Sequence, residues 1–326
     1  MNYDVYGIGN PLMDINVFAS DSDIAALGLV KGSMNLIDLN KKKSINSYIK
    51  NKGLKTVMYP AGDCPNTIMG VAALGGTAVL GGKVGIDSES EVYIKQIKEL
   101  GVYSDIKKGE GLTGSSNIFV TPDSQRTMAT FLGNCQKFSK ADVDEEIIKN
   151  TKFLYVTGYM WDTISQKEAT LIAFSLAKKY NVKVVFNLAD HFLVKRNIDA
   201  FPEIIKKNVD ILIANNLEAK EISGELNLSE LCKINIITYG ENGSILTDNS
   251  KKEKISAYPV NAKDTTGAGD MYAAGFLFGL SKGYSLKDAA TLGSYFASRI
   301  VQKNGAFITQ EIKTEVINFR NKLRPI

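Results

Sequence analysis

The chain has little of what catalytic relays and covalent scaffolds are built from. It carries one histidine, His191, so a relay of several histidines is excluded, and that residue reads as structural or exposed. Its three cysteines, Cys64, Cys135 and Cys232, are odd in number, far apart and without metal-ligand spacing. That argues against a disulfide framework or a zinc site and for a reducing compartment. No run reaches the roughly 18 apolar residues of a membrane span, and no basic and then apolar leader is expected at the start. The net charge of +4 is small for 326 residues. The lysine clusters Lys41-Lys42-Lys43 and Lys251-Lys252 are short and isolated, so they read as solvated surface and not as a nucleic-acid footprint. The expectation is a cytoplasmic protein, monomer or homodimer, with a small-molecule substrate and neither a membrane nor a nucleic-acid partner.

What is present is ordinary globular composition, 44% hydrophobic and 23% charged, on a chain long enough for a substantial core. Residues 3–9 read as a buried strand, and after Asn10-Pro11 a second strand-like alternation follows over 12–17. A short helix or turn over 22–29 and a short strand over 32–37 come next, and a helix opens after Pro60-Ala61-Gly62-Asp63-Cys64-Pro65-Asn66-Thr67 and runs to Leu74. From Thr77 strands and helices alternate, interrupted by two runs, 114–120 and 126–132, about a Pro122-Asp123-Ser124 turn that signals a hairpin. Further strands are expected at 153–156, 183–187, 210–214, 235–238, 243–247 and 254–257. Helices are expected at 89–100, 165–180, 202–207 and 217–223, and from Gly267, Ser285 and Gln310. Repeated strand–helix units with short connections imply an α/β fold, doubly wound, with a mostly parallel sheet and helices on both faces. The two β interruptions, about 11–39 and 109–133, project from it as a small second sheet within a single domain of residues 1–326.

The stretch that organises the chain is Asp264-Thr265-Thr266-Gly267-Ala268-Gly269-Asp270, followed by the apolar run Met271 to Phe278. Glycines let the backbone turn sharply at a helix start, where unpaired N–H groups and the positive end of the dipole hold an anion without a lysine. Asp270, in the first turn, is placed to accept a proton from a substrate hydroxyl and is expected to stay ionised at neutral pH. A capped loop with Thr265 or Thr266 as N-cap is the plain alternative. Two other nucleotide motifs fail: Gly7-Ile8-Gly9 has Leu12 where a dinucleotide fingerprint needs its third glycine, and Gly82-Lys83-Val84 lacks the spacing and hydroxyl of a P-loop.

This motif, with Ala274-Gly275-Phe276-Leu277 behind it, closely resembles the C-terminal signature of the ribokinase-like, phosphofructokinase-B-type carbohydrate and nucleoside kinases. Gly62 to Asn66 resembles that family's N-terminal signature, with Cys64 and Pro65 as departures from its small residues. The resemblance covers nearly the whole chain. It implies a ribokinase-like fold whose small sheet is a lid that excludes water, and transfer of a phosphoryl group from ATP with Mg2+. Asp270 would be the base, with Gly267, Ala268 and Gly269 supplying backbone N–H groups to the developing charge. Asn215-Asn216-Leu217-Glu218 resembles the element in which the glutamate acts on magnesium through water, although the same spacing is also an N-cap with its capping-box partner. Thr238-Tyr239-Gly240 resembles the element that meets the nucleotide, and Asn304 lies where the family closes its adenine pocket.

On the acceptor side Asp14 and Asn66, with Asn10 and Gly62 beside them, are placed to grip adjacent sugar hydroxyls. Arg126 reads either as a clamp on phosphate charge or as a surface arginine. The opening Gly7 to Ile15, with Gly158-Tyr159-Met160-Trp161 and Asn187-Leu188-Ala189-Asp190, resembles the adenosine kinase branch. Phe131, Leu132, Tyr159, Met160 and Trp161 are then candidates for an apolar slot for a purine, or else plain core. Phosphorylation of the 5′-hydroxyl of adenosine is what this resemblance implies. A sugar kinase of the same family and a non-catalytic nucleoside- or sugar-binding protein are the alternatives, and the latter would be expected to lose Asp270 or the glycines.

Overall fold

A computed structural model describes residues 2–323 and 325, apart from 124 and 225–227. Strand β1 (Tyr3–Ile8) is buried from its second residue onward, as a strand covered on both faces must be. It is followed by β2 (Leu12–Phe18), β3 (Met34–Leu36), β4 (Thr56–Ala61), β5 (Ala78–Val84), β6 (Tyr103–Lys108), β7 (Gly114–Val120) and β8 (Arg126–Phe131). The later strands are β9 (Thr151–Thr157), β10 (Lys183–Asn187), β11 (Ile211–Asn215), β12 (Ile234–Thr238), β13 (Ser244–Asp248) and β14 (Lys251–Ile255).

Nine of these strands form one sheet in the order β14-β13-β12-β11-β10-β9-β1-β5-β6. It is parallel from β12 to β6, and β13 and β14 close one edge antiparallel. The other five form the expected smaller sheet, β3-β8-β7-β2-β4. Its strand β2 alternates: Met13, Ile15 and Val17 enter one apolar cluster with Ile24, Leu27 and Ile45, while Asp14 and Asn16 stand on the opposite face. Both the α/β class and the second sheet therefore follow from periodicity that was visible in the sequence.

Several elements differ from expectation. Strand β4 was not anticipated because Pro60 interrupts its run, and its position on the sheet edge, paired only with β2, is where a proline is tolerated. The smaller sheet thus draws on residues beyond 11–39 and 109–133. Lys42 is not solvated: it lies in a helix, Leu39–Lys52, and its buried Nζ donates to Glu89 Oε2 at 2.8 Å and to Ser115 Oγ at 2.7 Å. Edge strand β6 was also missed, and β14 starts three residues earlier than the expected 254. Ser124, in the expected hairpin turn, lies outside the described residues.

Two helices place the chemistry. Asp63–Ala73 is buried along almost its whole length, and so is Ala268–Ser281, whose residues Met271 to Gly279 leave no polar stripe. They can meet closely because Gly70 lacks a side chain: a Cβ there would stand 2.5 Å from the Cβ of Ala274. On its far side Ala268–Ser281 packs as tightly on Leu286–Ile300, where a Cβ on Gly275 would stand 2.7 Å from Gly293 Cα. Gly70→Val is therefore expected to destabilise the protein by about 1–3 kcal/mol through overpacking. A urea titration in which the midpoint stays at the wild-type value would show that the contact relaxes freely.

Candidate functional site

The helix Ala268–Ser281 begins at Gly267, which sits in the left-handed region at φ 78° and receives no side-chain cap. Neither threonine caps it. Thr266 instead donates from its N–H and from Oγ1 to Asp264 Oδ1, at 2.9 and 2.6 Å, which folds the loop back on its own start. A side chain on Gly267 would strike Ala306, whereas a Cβ on Gly269 would meet nothing within 4 Å. The Ala268 N–H donates to the Thr265 carbonyl at 3.2 Å, and the turn beside Gly269 faces open space without a side-chain cap, as an anion cradle requires.

Asp270 stands in that first turn and accepts a hydrogen bond from Asn66 Nδ2 at 2.8 Å. Asn66 comes from the first turn of the other site helix, and Thr67 of the same turn donates to the Asp270 carbonyl at 3.3 Å. Asp63, the first residue of that helix, brings a second carboxyl whose charge acts on Asp270. Burial and the Asp63 charge push Asp270 well above the ordinary carboxylate range, and burial raises Asp63 as well. Burial and the neighbouring carboxylate thus oppose the expected ionisation of Asp270. Asp63 was overlooked: a lone aspartate after Gly62 reads as a helix-start residue, and only the packing of two remote helices shows its partner.

Gly62 is held at φ 116°, and a Cβ there would stand 2.3 Å from the Asn10 carbonyl, so the turn into the helix admits only glycine. The Asn10 side chain is engaged within the protein, its Oδ1 accepting from Gln166 Nε2 at 2.7 Å. Asp14 pairs across the smaller sheet with Tyr59 on one side and with Ser116 on the other, and Ser116 pairs with Thr130. Burial pushes Asp14 up to about 7, with the guanidinium of Arg126 opposing the shift. Asp14 and Asn66 line one groove together with Tyr59, Met69 and Phe307. Arg126, from β8, pairs with Asp264 and donates to Thr266 Oγ1 at 3.0 Å, tying the smaller sheet to the loop before Gly267. Asp264 also accepts from the Gly305 N–H at 2.8 Å, which brings the 304–306 turn against the same loop.

The expected apolar slot is only partly assembled. Met160 and Trp161 are buried in the second core cluster, where Trp161 packs edge-on against Phe201 at 5.9 Å. Phe131 follows Thr130 on β8 and so takes the face opposite to Asp14's, with its ring centroid 5.3 Å from the buried Lys42 Nζ. Neither position meets Asp14's groove. Tyr159 remains half-buried, and its hydroxyl is pushed up by burial and by the charges of Asp63, Asp190 and Asp270.

On the far side of the sheet, Asn215 caps the helix Asn216–Ser223 by accepting from the N–H groups of Leu217 and Glu218 at 2.9 Å. Glu218 completes the capping box, its Oε2 accepting from Asn215 N at 2.8 Å and its Oε1 from Asn215 Nδ2 at 2.7 Å. It is buried, and burial pushes it up to about 7, with Asp63 and Asp190 adding to the shift. Thr238 ends β12, and Gly240 turns the chain at φ 59° beside the exposed Tyr239. Asn304 is exposed. Among the described residues no group of three or more His, Cys, Asp or Glu stands ready to hold a bare metal ion. The donors instead suit a nucleotide that brings its own metal: an uncapped glycine cradle for phosphate, and carboxylates at Asp63, Asp270 and Glu218 for hydrated Mg2+. No described helix is long and apolar enough to cross a membrane.

A model of the pfkB family of carbohydrate kinases matches residues 24–313. The 5-dehydro-2-deoxygluconokinase of Clostridium beijerinckii is 30% identical over 307 residues, covering 87% of this chain and 88% of its own. Among solved structures, the adenosine kinase of Sinorhizobium meliloti superimposes with a TM-score of 0.86 at 33% identity, covering 98% of this chain and 100% of the other. A probable sugar kinase of Rhizobium etli does so with a TM-score of 0.86 at 30% identity, covering 98% and 99%. The chain belongs to the pfkB family of carbohydrate kinases, enzymes that transfer a phosphoryl group to an alcohol.

Proposed function

We propose that this enzyme phosphorylates the 5′-hydroxyl of adenosine at the expense of ATP, giving AMP. The observation that carries the proposal is the meeting of Asp270, the open glycine cradle and an acceptor side made of Asp14 and Asn66. A carboxylate and an amide suit the adjacent hydroxyls of a ribose, and the apolar groove beyond them gives a base a surface to lie on. The likeness to an adenosine kinase at 33% identity over nearly the whole chain supports the same acceptor.

In this reading Asp270 receives the acceptor's proton. Its raised affinity for protons suits that task, since a more basic carboxylate takes a proton more readily than an ordinary one. The amides of Gly267, Ala268 and Gly269 stabilise the oxygens of the transferring group, and Arg126 holds the smaller sheet over the loop as a lid against water. Glu218 would hold a hydrated Mg2+ and Thr238, Gly240 and Asn304 would border the nucleotide; when bound, the ion would neutralise charge on the phosphoryl group that ATP supplies.

A second reading is a sugar kinase, which the family and the 5-dehydro-2-deoxygluconokinase relatives favour. A gluconate-type acceptor carries a carboxylate, however, and this acceptor side is itself acidic at Asp14, Asp63 and Asp270, while the guanidinium of Arg126 is committed to Asp264. A neutral nucleoside or sugar meets no such repulsion. Retention of Asp270 and of the glycines argues against a merely binding role.

Three measurements test the reading. Asp270→Asn keeps the shape and the Asn66 contact but cannot take a proton, so turnover should fall about 10²- to 10⁴-fold with ligand binding retained. Near-wild-type turnover would remove Asp270 from the chemistry. With Glu218→Gln, the magnesium concentration giving half-maximal rate should rise at saturating nucleotide, because a neutral amide is a poor partner for a hydrated cation. An unchanged titration would leave Glu218 as the capping residue alone. Finally, kcat/KM compared for adenosine, inosine, guanosine, ribose and fructose 6-phosphate should be highest for adenosine; a lead of about tenfold, or about 1.4 kcal/mol, for a sugar would overturn the nucleoside assignment and leave the kinase.

A further inference from the structure

We propose that Ser116 and Thr130, a buried pair of hydroxyls on the smaller sheet, determine acceptor specificity by donating a hydrogen bond to one of the two adjacent sugar hydroxyls that Asp14 holds. The proposal rests on the reading above, in which Asp14 and Asn66 form the acceptor side. It names the contact by which a vicinal diol is told from its deoxy analogues.

The register of the smaller sheet puts the pair beside Asp14. Ser116 on β7 is paired with Asp14 on β2, and Thr130 on β8 is paired with Ser116, so the three side chains leave the same face. Paired strands lie about 4.8 Å apart, which keeps a ligand on Asp14 within reach of its neighbour. The face is the one that looks onto the phosphate loop. Arg126 leaves it from the same strand as Thr130 and reaches Asp264 and Thr266.

Both hydroxyls are out of water, Ser116 being 5% exposed and Thr130 8%. They meet each other at 2.8 Å and have no other side-chain partner among the described residues. Two hydroxyls carry two protons, and the bond between them uses one. The other proton is a buried donor without an acceptor. Asn16, on the same face, does not take it, since its Oδ1 is also buried and unpaired. A donor left unmet inside a protein is costly, and a ligand that meets it is held more firmly.

A vicinal diol supplies what is missing. Each of its hydroxyls can donate a proton to one oxygen of Asp14, but a carboxylate gives no donor in return. The two diol oxygens therefore need two donors. Asn66 Nδ2 carries two N–H groups and spends one on Asp270, so it can serve one of them. The free proton of the Ser116–Thr130 pair serves the other. Either hydroxyl of the pair can be the one that donates, because each can give its proton to its neighbour instead. An acceptor that lacks one hydroxyl leaves one of these donors unpaired, and a site built to bond a hydroxyl rejects such an analogue.

The first measurement needs no variant. The rise in melting temperature caused by adenosine, without nucleotide, should exceed that caused by 2′-deoxyadenosine and that caused by 3′-deoxyadenosine. Equal shifts for all three would overturn the proposal. The second compares kcat/KM with Mg-ATP for the same acceptors in the wild type and in the double variant Ser116→Ala, Thr130→Val, which nearly keeps the shape and removes both hydroxyls. The wild type should favour adenosine over each deoxy analogue by at least about 100-fold. In the variant one of the two ratios should fall by at least about tenfold, while the other, set by Asn66, stays within about threefold. Ser116→Thr combined with Thr130→Ser keeps both hydroxyls and should keep both ratios. A double variant that loses activity equally on every acceptor would overturn the proposal, because a merely structural role leaves the ratios where they were. If ribose is accepted and adenosine is not, the nucleoside reading fails, and the same ratios taken with 2-deoxyribose and 3-deoxyribose decide the proposal. A wild type that binds neither class would overturn both.

Discussion

The site depends on one contact, the approach of two buried helices at Gly70 and Ala274. Because no side chain separates them there, the first turn of Asp63–Ala73 lies against the first turn of Ala268–Ser281, and residues 204 positions apart share a hydrogen bond of 2.8 Å. Gly275, on the other side of the second helix, lets Leu286–Ile300 press just as closely, so the helix is held between two neighbours and has little freedom to slide. Interiors packed to this density respond to an added methyl by moving backbone, and here the backbone that would move carries Asp270.

The same contact explains why the site tolerates its own acidity. Each of the two helices brings about half an elementary positive charge to its N-terminus, and the two ends face one cleft. Asp63 and Asp270 occupy those first turns, where a helix favours negative charge. The side-chain donor to the Asp270 carboxyl is the amide of Asn66, and among the described residues no lysine is spent there. A lysine in the cleft would have fixed both carboxylates as charged. Amides and dipoles stabilise charge while leaving the proton affinity high, and the raised positions of Asp14, Glu218 and Asp270 all reflect desolvation as their first cause.

Much of this was legible before any coordinates, and the reason is local. The inner strands of the larger sheet, such as β1, β10 and β11, are short apolar runs, the helices from Gly267, Ser285 and Gln310 begin where their caps and glycines stand, and the glycine loop before Asp270 has a composition that few other structures need. What escaped was set by tertiary context. Lys42 looks like any surface lysine until the helix it occupies is seen to cover the smaller sheet, where Ser115 and Glu89 receive its charge. The face taken by Phe131 depends on a register set by β7, and the burial of Trp161 on its encounter with Phe201. Asp63 carries no local sign of its partner at all.

The smaller sheet adds a further constraint through a chain of groups that each need the next. Arg126 on β8 reaches Asp264, and Asp264 in turn accepts from the Thr266 and Gly305 N–H groups. On β4, Tyr59 stacks obliquely on Phe307 at 5.9 Å, just beyond the same turn. The loop before Gly267 is thus shaped jointly by a residue of the smaller sheet and by the turn at 304–306. Because Asp264 is half-buried and its charge is balanced by Arg126, withdrawal of the smaller sheet would leave that carboxylate with the Thr266 and Gly305 N–H groups and the Thr266 hydroxyl alone. The loop before Gly267 and the smaller sheet are therefore coupled: the turn that leads into the helix is held in part by Arg126 from β8.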